Sequence, residues 1–416
     1  HSGIAVLYSV PSALSHQLEG GGQFTNPHVT HRTWAQLTYD LGLDIHYVTS
    51  RMLTDGALDT GEFKALLLPM TQALAPEETA AIRRFVESGG TVIADVRPGI
   101  YDGHCKPMTP GVLDDLFGIE RTGRGAGIEA PLALDASLDG RRILADLGSV
   151  RVDAEIEAAT AGALAEVITD DREAPALLVN TVGKGRAVLL NFQLPTADPR
   201  EPSTAAAREL LASLYAVTGA AAPITVAAPD GGPLPRTETR VWRTGDGLIF
   251  GLWRQMENAW FGPKSGTAAG EPVPAHVALP SRLHVYDLRA KRYLGRISEI
   301  ETQLRWGRAS FYLALPYRIG ELNVSLSSKR ASPGEVIAAT VRLGVPARAE
   351  ETHAAFIEVL DPDGQEMLWG RQVVLLESGK GEVRIASAFN DKPGDWRVRV
   401  TELFSNQSAE ARWTVQ

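Results

Sequence analysis

The apolar period of this 416-residue chain changes once, around residues 219–235, and that change limits the fold more than any other feature. Ahead of this Ala/Pro-rich passage, short β-branched runs alternate with stretches of helical spacing; behind it only strand-like runs occur. A chain with this order is expected to form an α/β domain first and all-β domains after it.

In the first part, residues 4–8 read as a buried strand, Trp34, Leu37 and Leu41 recur at helical spacing, and residues 44–48 and 63–68 read as second and third strands. Pro76 opens a helix with Glu77 and Glu78 in its first turn, and Gly89-Gly90 stops it before a fourth strand at 91–94. Strands that are apolar throughout, in the order β-α-β-β-α-β, predict a doubly wound, flavodoxin-like sheet covered on both faces. Residues 121–171 are rich in Gly, Ala and Asp with short alternating runs such as 149–153, and residues 176–180 and 187–191 form a hairpin around Gly183-Lys184-Gly185. A helix over 203–218 closes an expected first domain at 1–220. Alternating runs then predict a small antiparallel β-domain at 236–318. The turns at 332–334, 361–364 and 392–394 pace an immunoglobulin-like β-sandwich at 321–416.

A net charge of −9 with no local basic cluster argues against nucleic-acid binding. A single cysteine, Cys105, permits no internal disulfide, which fits a reducing compartment without requiring one. The expected location is periplasmic, extracellular or cell-surface rather than cytoplasmic. No apolar run approaches the roughly 20 residues that span a bilayer. The opening HSGIAVLYSV has no basic segment and enters a strand at once, so the chain is expected to start partway through a longer protein.

Chemistry is expected first at the carboxyl end of the strand at 91–94, where open parallel sheets place their ligand crevice. Asp95, Arg97, Asp102, His104 and Cys105 fall there. Asp95, Asp102 and His104 suit a cation or polar ligand and Arg97 a carboxylate or sugar acid; the competing expectation is that Asp95 and Arg97 tie down an irregular loop. His28 and His31 stand three apart near a helix start, too few for a metal centre without further ligands. Gly183-Lys184-Gly185 joins two strands and opens no helix, so it is expected to be a turn rather than a phosphate loop. No metal and no cofactor is expected. Among the aromatics, Trp242 and Trp253 lie in strand patterns and are expected in the core, while Trp260 and Phe261 lie in a loop and suit a surface contact with sugar rings.

Residues 4–8, 34–48, 63–69, 86–93, 113–118 and 182–188 carry a resemblance to the non-catalytic part of family-42 glycoside hydrolases, the β-galactosidases. In that family a TIM barrel precedes a trimerisation domain, similar in fold to class I glutamine amidotransferases, and a small β-domain. The resemblance implies a homo-oligomer, specifically a trimer, and a link to carbohydrate. The family's catalytic glutamates sit on the barrel, and this chain holds no eightfold β/α repeat, so no residue here inherits those roles. An amidotransferase would need a nucleophile on the sharp turn after the strand at 91–94, yet residues 94–99 contain neither Cys nor Ser, and Cys105 arrives too late. The expected function is therefore a non-catalytic assembly region of a glycoside-hydrolase-type protein. The alternatives are an enzyme, with a barrel upstream of residue 1 or a divergent site at Asp95–Cys105, and a structural or cell-surface assembly protein.

Overall fold

The computed structural model describes residues 2–16, 24, 26–123, 127–168, 173–197, 201–255 and 271–416. The chain divides into two compact units, His1–Thr239 and Arg240–Gln416.

The first unit runs through β1 (Ile4–Tyr8), α1 (Val10–Ser15), α2 (Pro27–Asp40), β2 (Ile45–Thr49), α3 (Ser50–Thr54), β3 (Ala65–Leu68), β4 (Ala73–Leu74), α4 (Pro76–Glu87) and β5 (Thr91–Ala94). Next come β6 (Tyr101–Asp102), α5 (Asp114–Phe117), β7 (Ile119–Arg121), β8 (Ile128–Leu138) and β9 (Arg141–Val152). They are followed by β10 (Ile156–Ala158), β11 (Gly162–Ile168), β12 (Glu173–Val182), β13 (Gly185–Leu190) and α6 (Pro202–Ala216). Local chemistry sets the helix starts. The Asn26 side chain accepts from His28 N at 2.8 Å ahead of Pro27, and Glu78 folds back to accept from Ala75 N at 2.7 Å at the head of α4.

One seven-stranded sheet has the order β11-β12-β13-β5-β3-β1-β2. The strands β2, β1, β3, β5 and β13 are parallel, and β12 and β11 extend the sheet antiparallel. All four residues of β3 and of β5 are buried, as a strand covered on both faces requires. Ile4 and Val6 of β1 face Trp34 and Leu37 of α2 and Leu210 and Leu214 of α6. The intervening Ala5 and Leu7 face Leu53 of α3, Ile82 and Phe85 of α4 and Leu116 of α5.

The first of these cores also contains the β8–β9 hairpin, two strands of 11 and 12 residues where only short alternating runs were expected. Ala130, Leu132, Leu134, Ala136 and Leu138 are buried on one face, and the residues between them are exposed. The hairpin thus packs on α6 as a one-sided ribbon. The expected hairpin of β12 and β13 is present, with Val182 opposite Gly185 across its turn.

In the second unit, strand Gly247–Arg254 pairs antiparallel with Ala309–Leu315, which in turn pairs with the end of Val273–Asp287. Arg292–Leu304 adds to the other side of Val273–Asp287. Beyond Gly320 lie a three-stranded and a five-stranded sheet. Ile337, Val341 and Ile385 of the first share a core with Ile357, Val398, Trp396 and Trp413 of the second. Strand dominates the described residues, of which 16% are helical.

Candidate functional site

The five residues from Asp95 to Cys105 do follow β5, but they do not converge. Asp95 leaves the strand fully buried. Its carboxylate accepts from Met70 N at 2.5 Å, just beyond β3, and from Trp34 Nε1 at 3.1 Å in α2. Burial pushes this carboxyl up to about 7, against the opposing pull of those two donors. Asp95 thereby ties together the ends of two strands and a helix.

Arg97 stands at the apex of the turn with φ of 59°, a left-handed conformation that a bulky residue rarely takes. Its side chain turns inward, with 1% exposure, where Nε donates to Asp153 Oδ2 at 2.9 Å and the guanidinium lies 4.9 Å from the Phe24 ring centroid. Asp153 also accepts from Arg121 Nη1 at 3.1 Å, and Arg121 Nε donates to Asp114 Oδ1 at 3.2 Å. Four buried charges, two of each sign, therefore alternate along one chain of contacts from Arg97 to Asp114. The carboxylates are held further by backbone donors: Gly111 N to Asp114 at 2.6 Å and Glu155 N to Asp153 at 3.1 Å.

Asp102 sits nearer the surface and closes its own loop, accepting from His104 N at 2.9 Å and Lys106 N at 2.8 Å. The Lys106 N–H above all holds its carboxyl below the usual range. His104 is exposed. Cys105, at φ 60°, directs Sγ to the Pro11 carbonyl at 3.4 Å; burial and the neighbouring Asp102 charge both raise its thiol pKa, opposite to what a nucleophile needs.

Across the carboxyl ends of β1 and β2 opens a cleft of about 450 Å³ lined by Tyr8, Pro11, Thr49, Arg51, Glu78 and Gly103, among others. Glu78 is 3% exposed, and its Oε1 has no hydrogen-bond partner among the described residues. Beside it α1 is fastened by serines: Ser12 Oγ accepts from Ala73 N and donates to Ala73 O, both at 3.0 Å. His31 lies between Tyr8 and Tyr47, with ring centroids at 5.7 and 6.4 Å, while His28 is exposed. Burial, reinforced by His28, lowers His31 to about 4. Among the described residues no group of three or more His, Cys, Asp or Glu side chains is placed to hold a metal ion.

The aromatics are distributed differently from expectation. Trp242 is 50% and Trp253 38% exposed, so neither belongs to a core, because both fall on the outward positions of their strands. Trp260 and Phe261 lie outside the described residues. Sequence reasoning missed Asp153, Arg121 and Trp34 as partners of the loop after β5. Their distance along the chain hides them; the one available signal was a charged residue, Asp153, directly after an alternating apolar strand.

A family model described as the β-galactosidase trimerisation domain matches residues 2–216. The β-galactosidase from Bacillus circulans sp. alkalophilus superposes with a TM-score of 0.56 at 16% identity, over 75% of this chain and 41% of that one. A GH42 β-galactosidase from G. stearothermophilus gives a TM-score of 0.52 at 16% identity, over 75% and 40% of the two chains. The likeness is one of fold, and the chain spans about two fifths of the length of these structures. No curated protein matches.

Proposed function

The chain belongs to the β-galactosidase trimerisation-domain family over residues 2–216, and from that premise we propose that it serves as a non-catalytic assembly region of a glycoside-hydrolase-type protein. The observation that carries the non-catalytic part is Arg97. At the turn where an amidotransferase-like sheet would present a nucleophile, this chain places an arginine, turned inward onto Asp153 at 2.9 Å. The nearest thiol, Cys105, has a raised pKa and rests on a carbonyl.

On this reading the first domain, 1–220, has the flavodoxin-like and amidotransferase-like topology and forms a homo-oligomer, specifically a trimer. The β-domains at 236–318 and 321–416, the latter immunoglobulin-like, complete the accessory region. A nitrophenyl β-galactoside and glutamine are the substrates to offer the purified chain. The reading expects turnover of neither; hydrolysis of either one, abolished by a substitution at Asp95, Asp102, His104 or Cys105, would overturn it.

A second reading, that the chain is the carboxyl-terminal part of a β-galactosidase-like polypeptide with a barrel upstream of residue 1, is favoured by coverage: the chain accounts for 41% of the matched enzyme from Bacillus circulans. The intact mass of the natural polypeptide separates the two readings, being close to 44.7 kDa for the first and well above it for the second.

A further inference from the structure

Residues 240–320 carry twelve Lys and Arg against six Asp and Glu, a local excess of positive charge inside a chain whose net charge is −9. The bases are dispersed along the sequence, so no run of them marks the segment. The fold gathers several of them around a set of exposed rings.

Strands Gly247–Arg254 and Ala309–Leu315 pair with Gly251 opposite Phe311 and Trp253 opposite Ala309. A Cβ built on Gly251 would come within 2.8 Å of the Phe311 ring, so the ring lies across the bare glycine backbone. Phe250 and Leu252 are fully buried on the opposite face, where Phe250 stacks on Tyr312 with centroids 5.3 Å apart. Trp253 and Phe311 therefore share the outward face, each 38% exposed. Thr237–Thr244 is the neighbouring strand, joined by the two-residue turn Gly245-Asp246. That turn sets Trp242, 50% exposed, opposite Ile249 on the same face as Trp253. Strand spacing makes the three rings span roughly 14 Å. Leu313 and Leu315, farther along the same face, are buried in the core of the two carboxyl-terminal sheets, so the platform is the open end of a face otherwise covered.

Basic side chains border it. Arg289 Nη1 donates to Ala309 O at 2.6 Å, directly opposite Trp253, and Lys291 and Arg292 are exposed on the same turn as Arg289. Arg308 is exposed just before the Phe311 strand.

We propose that this face binds an anionic glycan. Flat aromatic rings on a sheet accept the apolar faces of pyranose rings, and guanidinium groups at the border take carboxylate or sulfate substituents through paired donors. The positive border complements a polyanion, whereas the rest of the chain is acidic and repels one. The choice of a glycan over a nucleic acid rests on the glycoside-hydrolase-related reading above.

The test is affinity electrophoresis of the full chain in gels containing polygalacturonate, neutral galactan or no polymer, with binding to an oligodeoxythymidine measured in parallel. Retardation is expected in polygalacturonate only. Trp253→Ala and Phe311→Ala should each weaken it about tenfold, and Trp253→Phe should keep it. Arg289→Ala with Arg308→Ala should weaken it as much, more at low salt than at high. Circular dichroism of each variant reports folding and sedimentation of the parent reports assembly, so a monomeric parent would count against the assembly reading and leave this one standing, whereas loss of the oligomer on Trp253→Ala or Phe311→Ala would mark the face as a subunit interface and overturn the proposal. No retardation, equal retardation in neutral galactan, tighter binding of the oligodeoxythymidine, or retardation indifferent to Trp253→Ala and Phe311→Ala in folded variants would each overturn the proposal.

Discussion

Arg97 and Asp153, 56 residues apart in sequence, meet as a buried ion pair at 2.9 Å with 1% and 0% of their side chains exposed. The pair joins the turn after β5 to the residue that follows β9.

Removing one member strands the other's charge in the interior. Arg97→Ala and Asp153→Ala should each cost about 3–5 kcal/mol, the second more because Arg121 also loses one of its two carboxylate partners. The double variant should cost clearly less than the sum. Urea unfolding of all three checks this, and additive costs near zero would show that the pair holds nothing together.

His31 gives a pH signature. Its folded pKa of about 4 lies below the ordinary 6.5, so the unfolded chain binds a proton first and the folded state loses stability as pH falls from about 6.5 to about 4. Asp95 runs the other way: its folded carboxyl near 7 favours the folded state less as pH rises from 3.8 toward 7. His31→Phe keeps a ring between Tyr8 and Tyr47 and removes the first effect. Its advantage over the parent should be absent at pH 8 and grow to on the order of 2 kcal/mol by pH 4, allowing for partial solvent access. Melting curves at several pH values read this directly; parallel curves would refute it.

The turn between β12 and β13 separates two glycine-loop residues by role. A Cβ on Gly185 would lie 2.2 Å from the carbonyl oxygens of Gly90 and Val86, both backbone atoms that cannot yield cheaply. Gly185→Ala should therefore destabilise by more than about 2 kcal/mol, while Lys184→Ala should stay within about 0.5 kcal/mol. Equal effects would mean that the lysine has a role beyond the turn.

Cys105 should react slowly. With its thiol raised by burial and by Asp102, labelling by a disulfide reagent at neutral pH should be slower than for a free thiol and should quicken in Asp102→Asn. Rapid labelling of the parent would instead mark a reactive cysteine.

The inner strands of the parallel sheet were legible because they are buried on both faces: a four-residue run such as Ala65–Leu68 has no polar position to confuse the pattern. The β8–β9 hairpin was legible in principle, since Leu134, Ala136 and Leu138 alternate with Asp135 and Ser137, but Pro131 and Ala133 on the outward positions dilute the signal. The loop after β5 was located correctly in sequence and its partners were not, because Trp34 and Asp153 reach it only through tertiary packing. Trp242 and Trp253 show the converse failure. A tryptophan in a strand pattern suggests a core, yet the pattern alone does not say which face the rest of the chain covers.

The most direct test of the account is the mass of the assembled protein in solution, measured by sedimentation equilibrium over a range of concentrations. Membership of the trimerisation-domain family predicts a stable species near three times the 44.7 kDa chain mass. A single species at 44.7 kDa, persisting at the highest concentration, would contradict the assembly role.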